Sequence, residues 1–131
     1  VLYEYSSAYL KVDIRRRQLG NRLLLSQGGP LGVQSVSEIV ISSVNLQKDR
    51  TLWSRLLGAT SQPNIWMVGG GPAIRLVQGA DDRIQSIVFK VESLKRAEAF
   101  LRKKQLLGSS ASGKLFLKES EVQGLSFCLK E

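Results

Sequence analysis

The chain holds no histidine and a single cysteine, Cys128. A thiol attacks as its thiolate, and some neighbouring base must take the proton. With no imidazole available, only a carboxylate or an amine could do so. Cys128 therefore reads as a quiet buried thiol in preference to a nucleophile. A lone cysteine also makes no internal disulfide, so a reducing, cytoplasmic setting is expected. Arg75 is a different kind of group. Its guanidinium is permanently charged and presents a planar fork suited to a carboxylate or a phosphate. Glu38 is its candidate partner. Alternation along strands puts Glu38, Val40 and Ser42 on one face, and Arg75 and Val77 on one face of theirs. If both faces lie on one side of a sheet, the two can pair there. The pair either lines a site or only pins two strands; otherwise Arg75 faces solvent.

Other residues carry softer signals. Trp66 and Met67 are neighbours on an expected strand, so the two take opposite faces, and Trp66 is a candidate ligand platform. Trp53 fits the core face of a helix. The run Gly-Gly-Gly-Pro at 69–72 is glycine-rich, as phosphate-cradling loops are. It stands between two strands, however, and lacks the helix N-terminus that would hold the phosphate, so a hairpin turn is expected. Lys and Arg number 19 against 11 Asp and Glu, a net charge of +8. The charge is spread along the chain, and Arg15-Arg16-Arg17 is the tightest basic cluster. Aromatic residues do not interleave with the basic ones, which disfavours nucleic acid as a partner. No apolar run approaches the roughly 18 residues of a membrane span, and no secretory signal is visible.

The elements that position these residues come in two copies. Glu38 to Leu46 and Ser86 to Leu94 align at a constant offset of 48. Each copy reads as a β-branched strand, a short polar turn and a helix. Asn45 and Ser93 are the expected N-caps, because their side-chain oxygens can accept free helical N–H groups. Leu52, Trp53, Leu56 and Leu57 recur at helical spacing in the first copy, and Ala97, Phe100 and Leu101 in the second. Leu-Leu-Gly follows at 56–58 and again at 106–108, where glycine can stop a helix. Strands are expected at 64–68, 73–78, 114–118 and 124–130, with 108–113 as a turn-rich stretch. Each copy thus reads β-α-β-β-β, with a weak second strand in both. The length of 131 residues and the apolar share of 43% suit one α+β domain.

Two consecutive β-α-β-β-β modules resemble the vicinal oxygen chelate superfamily of glyoxalases, extradiol dioxygenases and bleomycin-resistance proteins. The resemblance rests on "VSEIVISSVNLQKDRTLWSRLLG", "AIRLVQG", "IQSIVFKVESLKRAEAFL" and "VQGLSFCLKE". It implies two modules, 36–79 and 84–131, forming curved sheets around a cleft within a domain spanning 36–131. Residues 1–35 fit neither module. They read as a strand end, a helix around 14–25 and a glycine-rich linker. That suits either an N-terminal extension or a connector from a preceding domain, and a chain beginning at Val1 suits a fragment.

In such families metal ligands occupy the first and last strands of each module. The resemblance maps these positions onto Glu38, Arg75, Ser86 and Cys128. A catalytic metal needs about three good protein ligands and an open position. One carboxylate, one thiol, a hydroxyl and a guanidinium do not supply them, so neither a metal nor another cofactor is expected. The function implied is metal-independent binding of a small organic ligand, in particular an anion, at Glu38, Arg75, Trp66, Ser86 and Cys128, with no catalytic residue in this chain. The alternative is the C-terminal part of a larger glyoxalase- or dioxygenase-type enzyme whose active site lies in a preceding domain. A homodimer or such a domain would be the protein partner.

Overall fold

The computed structural model describes residues 11–131. The elements run α1 (Val12–Ser26), a 3-10 turn (Gly29–Leu31), β1 (Val33–Ser43), α2 (Leu46–Leu57), β2 (Ile65–Met67), β3 (Ala73–Gln78), β4 (Arg83–Val91), α3 (Leu94–Lys103), β5 (Leu107–Ala111), β6 (Lys114–Leu117), a second 3-10 turn (Glu119–Glu121) and β7 (Phe127–Lys130). The strand end expected in the first ten residues lies outside the described residues. The expected helix is present as α1, and its described side chains are exposed.

The strands form one curved sheet in the order β2-β3-β1-β4-β7-β6-β5. This is the expected α+β class, with α2 and α3 on one side. β1 runs parallel to β3, and β4 runs parallel to β7. β1 and β4 meet antiparallel in the middle. Their register carries the sequence offset: a shift of 48 moves Glu38 onto Ser86 and Val40 onto Val88, so the pair Glu38–Val88 becomes the pair Ser86–Val40. The caps follow the same offset. Asn45 accepts from the Lys48 N–H at 3.1 Å, and Ser93 accepts from the Arg96 N–H at 3.3 Å.

Three expectations are corrected. First, the module over 36–79 contains no strand between α2 and β2, so it is β-α-β-β. Second, the stretch at 108–113 was expected to be turn, yet β5 covers Leu107–Ala111 and pairs antiparallel with β6. Gly108 works there as a spacer. A Cβ at this position would lie 2.8 Å from the Leu117 carbonyl oxygen. Third, Gly108 does not stop α3. The chain leaves α3 through Lys104 and turns at Gln105, which takes φ 59°. Gly58 is the C-cap of α2 as expected, at φ 90°. The Gly-Gly-Gly-Pro run is the β2–β3 turn, closed by Gly71 N–H to Val68 O at 2.8 Å.

A buried apolar cluster sits under α3. Val91, Ala97, Leu101, Leu115 and Leu129 are buried together, with Leu31, Val33, Phe89, Phe100 and Leu107 packed around them. Leu31 belongs to the turn before β1, so residues N-terminal to the first strand close one end of this cluster. Arg96 fixes that contact by donating to the Gly29 carbonyl oxygen at 2.9 Å.

Candidate ligand site on the open sheet face

Which face each strand residue takes follows from Trp66. Its ring centroid lies 6.4 Å from that of Trp53 on α2, and its indole N–H donates to the Gly58 carbonyl at 3.2 Å. Trp66 is therefore on the helix side, together with its register partner Ile74. Arg75, one residue on, faces the opposite, open side. The parallel register pairs Val40 with Arg75 and Glu38 with Ala73, which puts Glu38 on the open side too. Val88 and Ser86 follow by pairing with Glu38 and Val40, and Cys128 by pairing with Val88. Lys130 and Lys90, partners two residues further along, share that side.

The Glu38 carboxylate is the centre of this face. Arg75 Nε donates to Oε2 at 3.1 Å and Nη2 to Oε1 at 2.9 Å, a bidentate contact. Lys130 Nζ donates to the same Oε1 at 3.3 Å. The Glu38 side chain is 15% exposed and that of Arg75 39%. The Arg75 hydrogen bond holds the Glu38 carboxyl below its ordinary pKa. Partial burial opposes this shift, and Lys130 adds to it. The same bond raises Arg75. Glu38 is thus an ionised group clamped by two cations at neutral pH. It is a weak proton acceptor there, and solvent access on Arg75 screens the pair.

The other candidate residues separate. Ser86 shares the open side and borders a cavity of about 140 Å³ with Arg83, Gln85, Glu119 and Ser126. Cys128 lies on the same side but is 2% exposed. Burial raises its pKa, and the nearby Lys114 and Lys130 only partly offset that. Neither property suits a nucleophile. Trp66 is 2% exposed, whereas Met67 is 74% exposed. Trp66 therefore has no free ring face on the open side, and Met67 is the residue of that pair which reaches it. Lys130 was not singled out in the sequence. Carrying the strand alternation two residues past Cys128 would have found it.

A metal does not fit this arrangement. The positions that would ligate it hold a carboxylate already engaged by a guanidinium, the guanidinium itself, a hydroxyl and a buried thiol. A guanidinium has no lone pair to offer and repels a cation. No group of three His, Cys, Asp or Glu side chains is placed to hold a metal among the described residues.

No protein-family model matches the sequence, and no curated protein matches it either. Solved structures do match. Methylmalonyl-CoA epimerase from Mycobacterium tuberculosis superposes with a TM-score of 0.61 at 16% identity, over 77% of this chain and 89% of that one. A methylmalonyl-CoA epimerase in complex with methylmalonyl-CoA and NH4+ gives 0.55 at 13% identity, over 74% and 93%. A hypothetical protein from Bacillus halodurans C-125 gives 0.55 at 14% identity, over 74% and 94%. At such identities the likeness is one of fold alone.

Proposed function

We propose that the open face binds a small organic anion without a divalent metal. The observation that carries this is the Glu38 carboxylate lying across Arg75 and Lys130. An internal carboxylate already occupies the position that an acidic ligand would take, and the two cations that hold it remain partly exposed. A ligand carboxylate or phosphate would displace Glu38 from the Arg75 fork and keep the cations paired. Lys90 and Lys114 add positive charge nearby, and Met67 offers an apolar contact. Binding is favoured over catalysis because Glu38 is held ionised, Cys128 is buried, and the chain has no imidazole. An acyl thioester such as the methylmalonyl-CoA bound by one structural neighbour carries both carboxylate and phosphate, and is a natural member of the test panel.

The experiment is a thermal-shift screen of small carboxylic acids, acyl-CoA thioesters and neutral aromatics. Acids should raise the melting temperature of the wild type. Arg75→Ala should weaken them about tenfold or more, since removing a charge-assisted contact on the order of 1.5–3 kcal/mol exceeds the roughly 1.4 kcal/mol of a tenfold change. Hits confined to neutral compounds, or an equal response from Arg75→Ala, would remove Arg75 from the site.

A further inference from the structure

Two side chains of the open face are buried although α2 and α3 lie on the other side. Val88 and Cys128 are register partners on β4 and β7, and neither belongs to the cluster under α3. Val88 is 3% exposed and Cys128 2%. Phe116, the β6 partner of Cys128, joins them. Its neighbours Leu115 and Leu117 pack in the helix-side cluster, so alternation turns Phe116 and Lys114 to the open side. Val40 on β1 shares that side, and it is half-buried, as Phe116 is. The middle of the open face is thus an apolar floor running from β1 to β6.

A strap of charge covers this floor. Glu38 stands on β1, with Val88 as its β4 register partner. Arg75 reaches the Glu38 carboxylate from β3 at 2.9 Å, and Lys130 reaches it from β7 at 3.3 Å. The link from Glu38 to Lys130 therefore crosses β4 beside Val88. It also passes the Cys128 thiol, since Lys130 and Glu38 are among the charges that act on that thiol, along with Lys114. The Glu38 carboxylate brings both cations onto one point, and an external carboxylate can take that point in its place. One carboxylate exchanged for another leaves the cations paired, which favours a monoanion. Beneath them the floor offers carbon and one thiol. Hydrocarbon laid there leaves water, whereas the charges that now cover it are partly desolvated.

We infer that the Arg75–Glu38–Lys130 strap is a removable cover, and that the site takes a monocarboxylic acid with an aliphatic chain. The ligand carboxylate replaces that of Glu38 between Arg75 and Lys130, Glu38 swings out to solvent, and the chain lies on Val88, Cys128 and Phe116. Selectivity for the chain rests on the anion binding proposed above and adds what the anion must carry.

The test begins with calorimetric titration of the full chain with hexanoate, acetate and hexan-1-ol. Hexanoate should bind at least about tenfold more tightly than acetate, the equivalent of about two buried methylene groups. Hexan-1-ol, which has the chain without the charge, should not bind. Glu38→Ala removes the internal competitor and should tighten hexanoate by about tenfold. The second readout is alkylation by iodoacetamide, a neutral reagent, of Cys128, the only thiol in the chain. Glu38→Ala should speed it about tenfold by uncovering the floor, and hexanoate should slow it again. Glu38→Gln keeps the side chain as a cover without its charge and should react as the wild type does. Equal acceleration in Glu38→Gln and Glu38→Ala would assign the effect to charge and overturn the cover. Equal affinities for hexanoate and acetate, both lost in Arg75→Ala, would overturn the apolar floor and leave the anion reading standing. Acids that bind equally to wild type and Arg75→Ala, or that do not bind, would overturn both. The comparison of the two acids needs only the wild-type chain, so it stands whatever the variants do to folding.

Discussion

The two halves share caps, the offset of 48 and a first strand paired parallel to the last, yet they are held together differently. Three positions around each helix show how. In the first half Ser43, Asp49 and Trp53 stand where the second half has Val91, Ala97 and Leu101, each 48 residues on. Val91, Ala97 and Leu101 are members of the buried apolar cluster. Ser43 is fully buried as well, but it meets its helix through a hydrogen bond, donating to Asp49 Oδ2 at 2.6 Å. Trp53 reaches sideways to Trp66. α3 buries Ala97 and Leu101 completely. α2 buries no side chain completely, and Leu52, Leu56 and Leu57 remain exposed. One topology is thus fastened in one half by area removed from water and in the other by a polar latch and a ring contact.

The largest effect should come from the apolar half. Leu101→Ala should destabilise the chain by about 2–5 kcal/mol in urea denaturation, because the helix and sheet around it cannot fully close the hole. Leu56→Ala, at a position 66% exposed, should change stability by no more than about 0.5 kcal/mol. Comparable losses for the two would erase the contrast.

The polar latch gives the next effect. Ser43→Ala leaves the Asp49 carboxylate without its buried donor and should cost about 1–3 kcal/mol. Copying the second half with Ser43→Val and Asp49→Ala together should recover most of that loss, since removing both partners strands neither. A double variant as unstable as the single one would show that the latch cannot be exchanged for packing.

The caps should behave alike. Asn45→Ala and Ser93→Ala each remove one side-chain acceptor from a helix start, and each should cost about 1 kcal/mol. A marked inequality would show that the matching cap geometry hides unequal dependence on the first turn.

The smallest effect belongs to the ionic contact that joins the halves. Glu38 and Arg75 come from the first half and Lys130 from the second. The folded Glu38 pKa lies below its unfolded value. Its contribution is therefore complete above the unfolded value of about 4.3 and is lost as pH falls through the folded one. Screening at the exposed Arg75 keeps that contribution near about 1 kcal/mol or less. Glu38→Gln should flatten the acid limb of the stability–pH profile below about pH 4, and equal slopes in wild type and variant would refute the assignment.

Much of this was legible in the residues. The β-branched runs and the caps at Asn45 and Ser93 follow from local chemistry, whereas the Glu38–Arg75 pair follows from strand alternation only once the resemblance places the two at matching strand positions. β5 did not. Its Gly-Ser-Ser-Ala core has weak strand preference and is ordered by pairing with β6. The parity of Trp66 against Met67 was also undecidable locally, because both are apolar. The Trp53 contact, made by a helix 13 residues earlier in sequence, settles it. The exposed leucines of α2 were expected to form a greasy face as α3 does. Spacing fixes which residues share a face, but not how much sheet lies opposite to cover them.

The antiparallel seam between β1 and β4 has a consequence for how the chain can be divided. β1 is paired on its outer side by β3 and β4 by β7, and each depends on the other for its remaining row of backbone hydrogen bonds. A nick within 79–82 would keep the sheet whole as long as both pieces stayed together. Expressed alone, either piece would present a long unpaired central strand as a new edge. Such an edge recruits other chains. Because the offset makes the two seam strands near-equivalents, each piece carries a surface shaped for a second copy of itself. Separated halves should therefore be found as aggregates or self-paired dimers, and co-expression of the two should restore solubility.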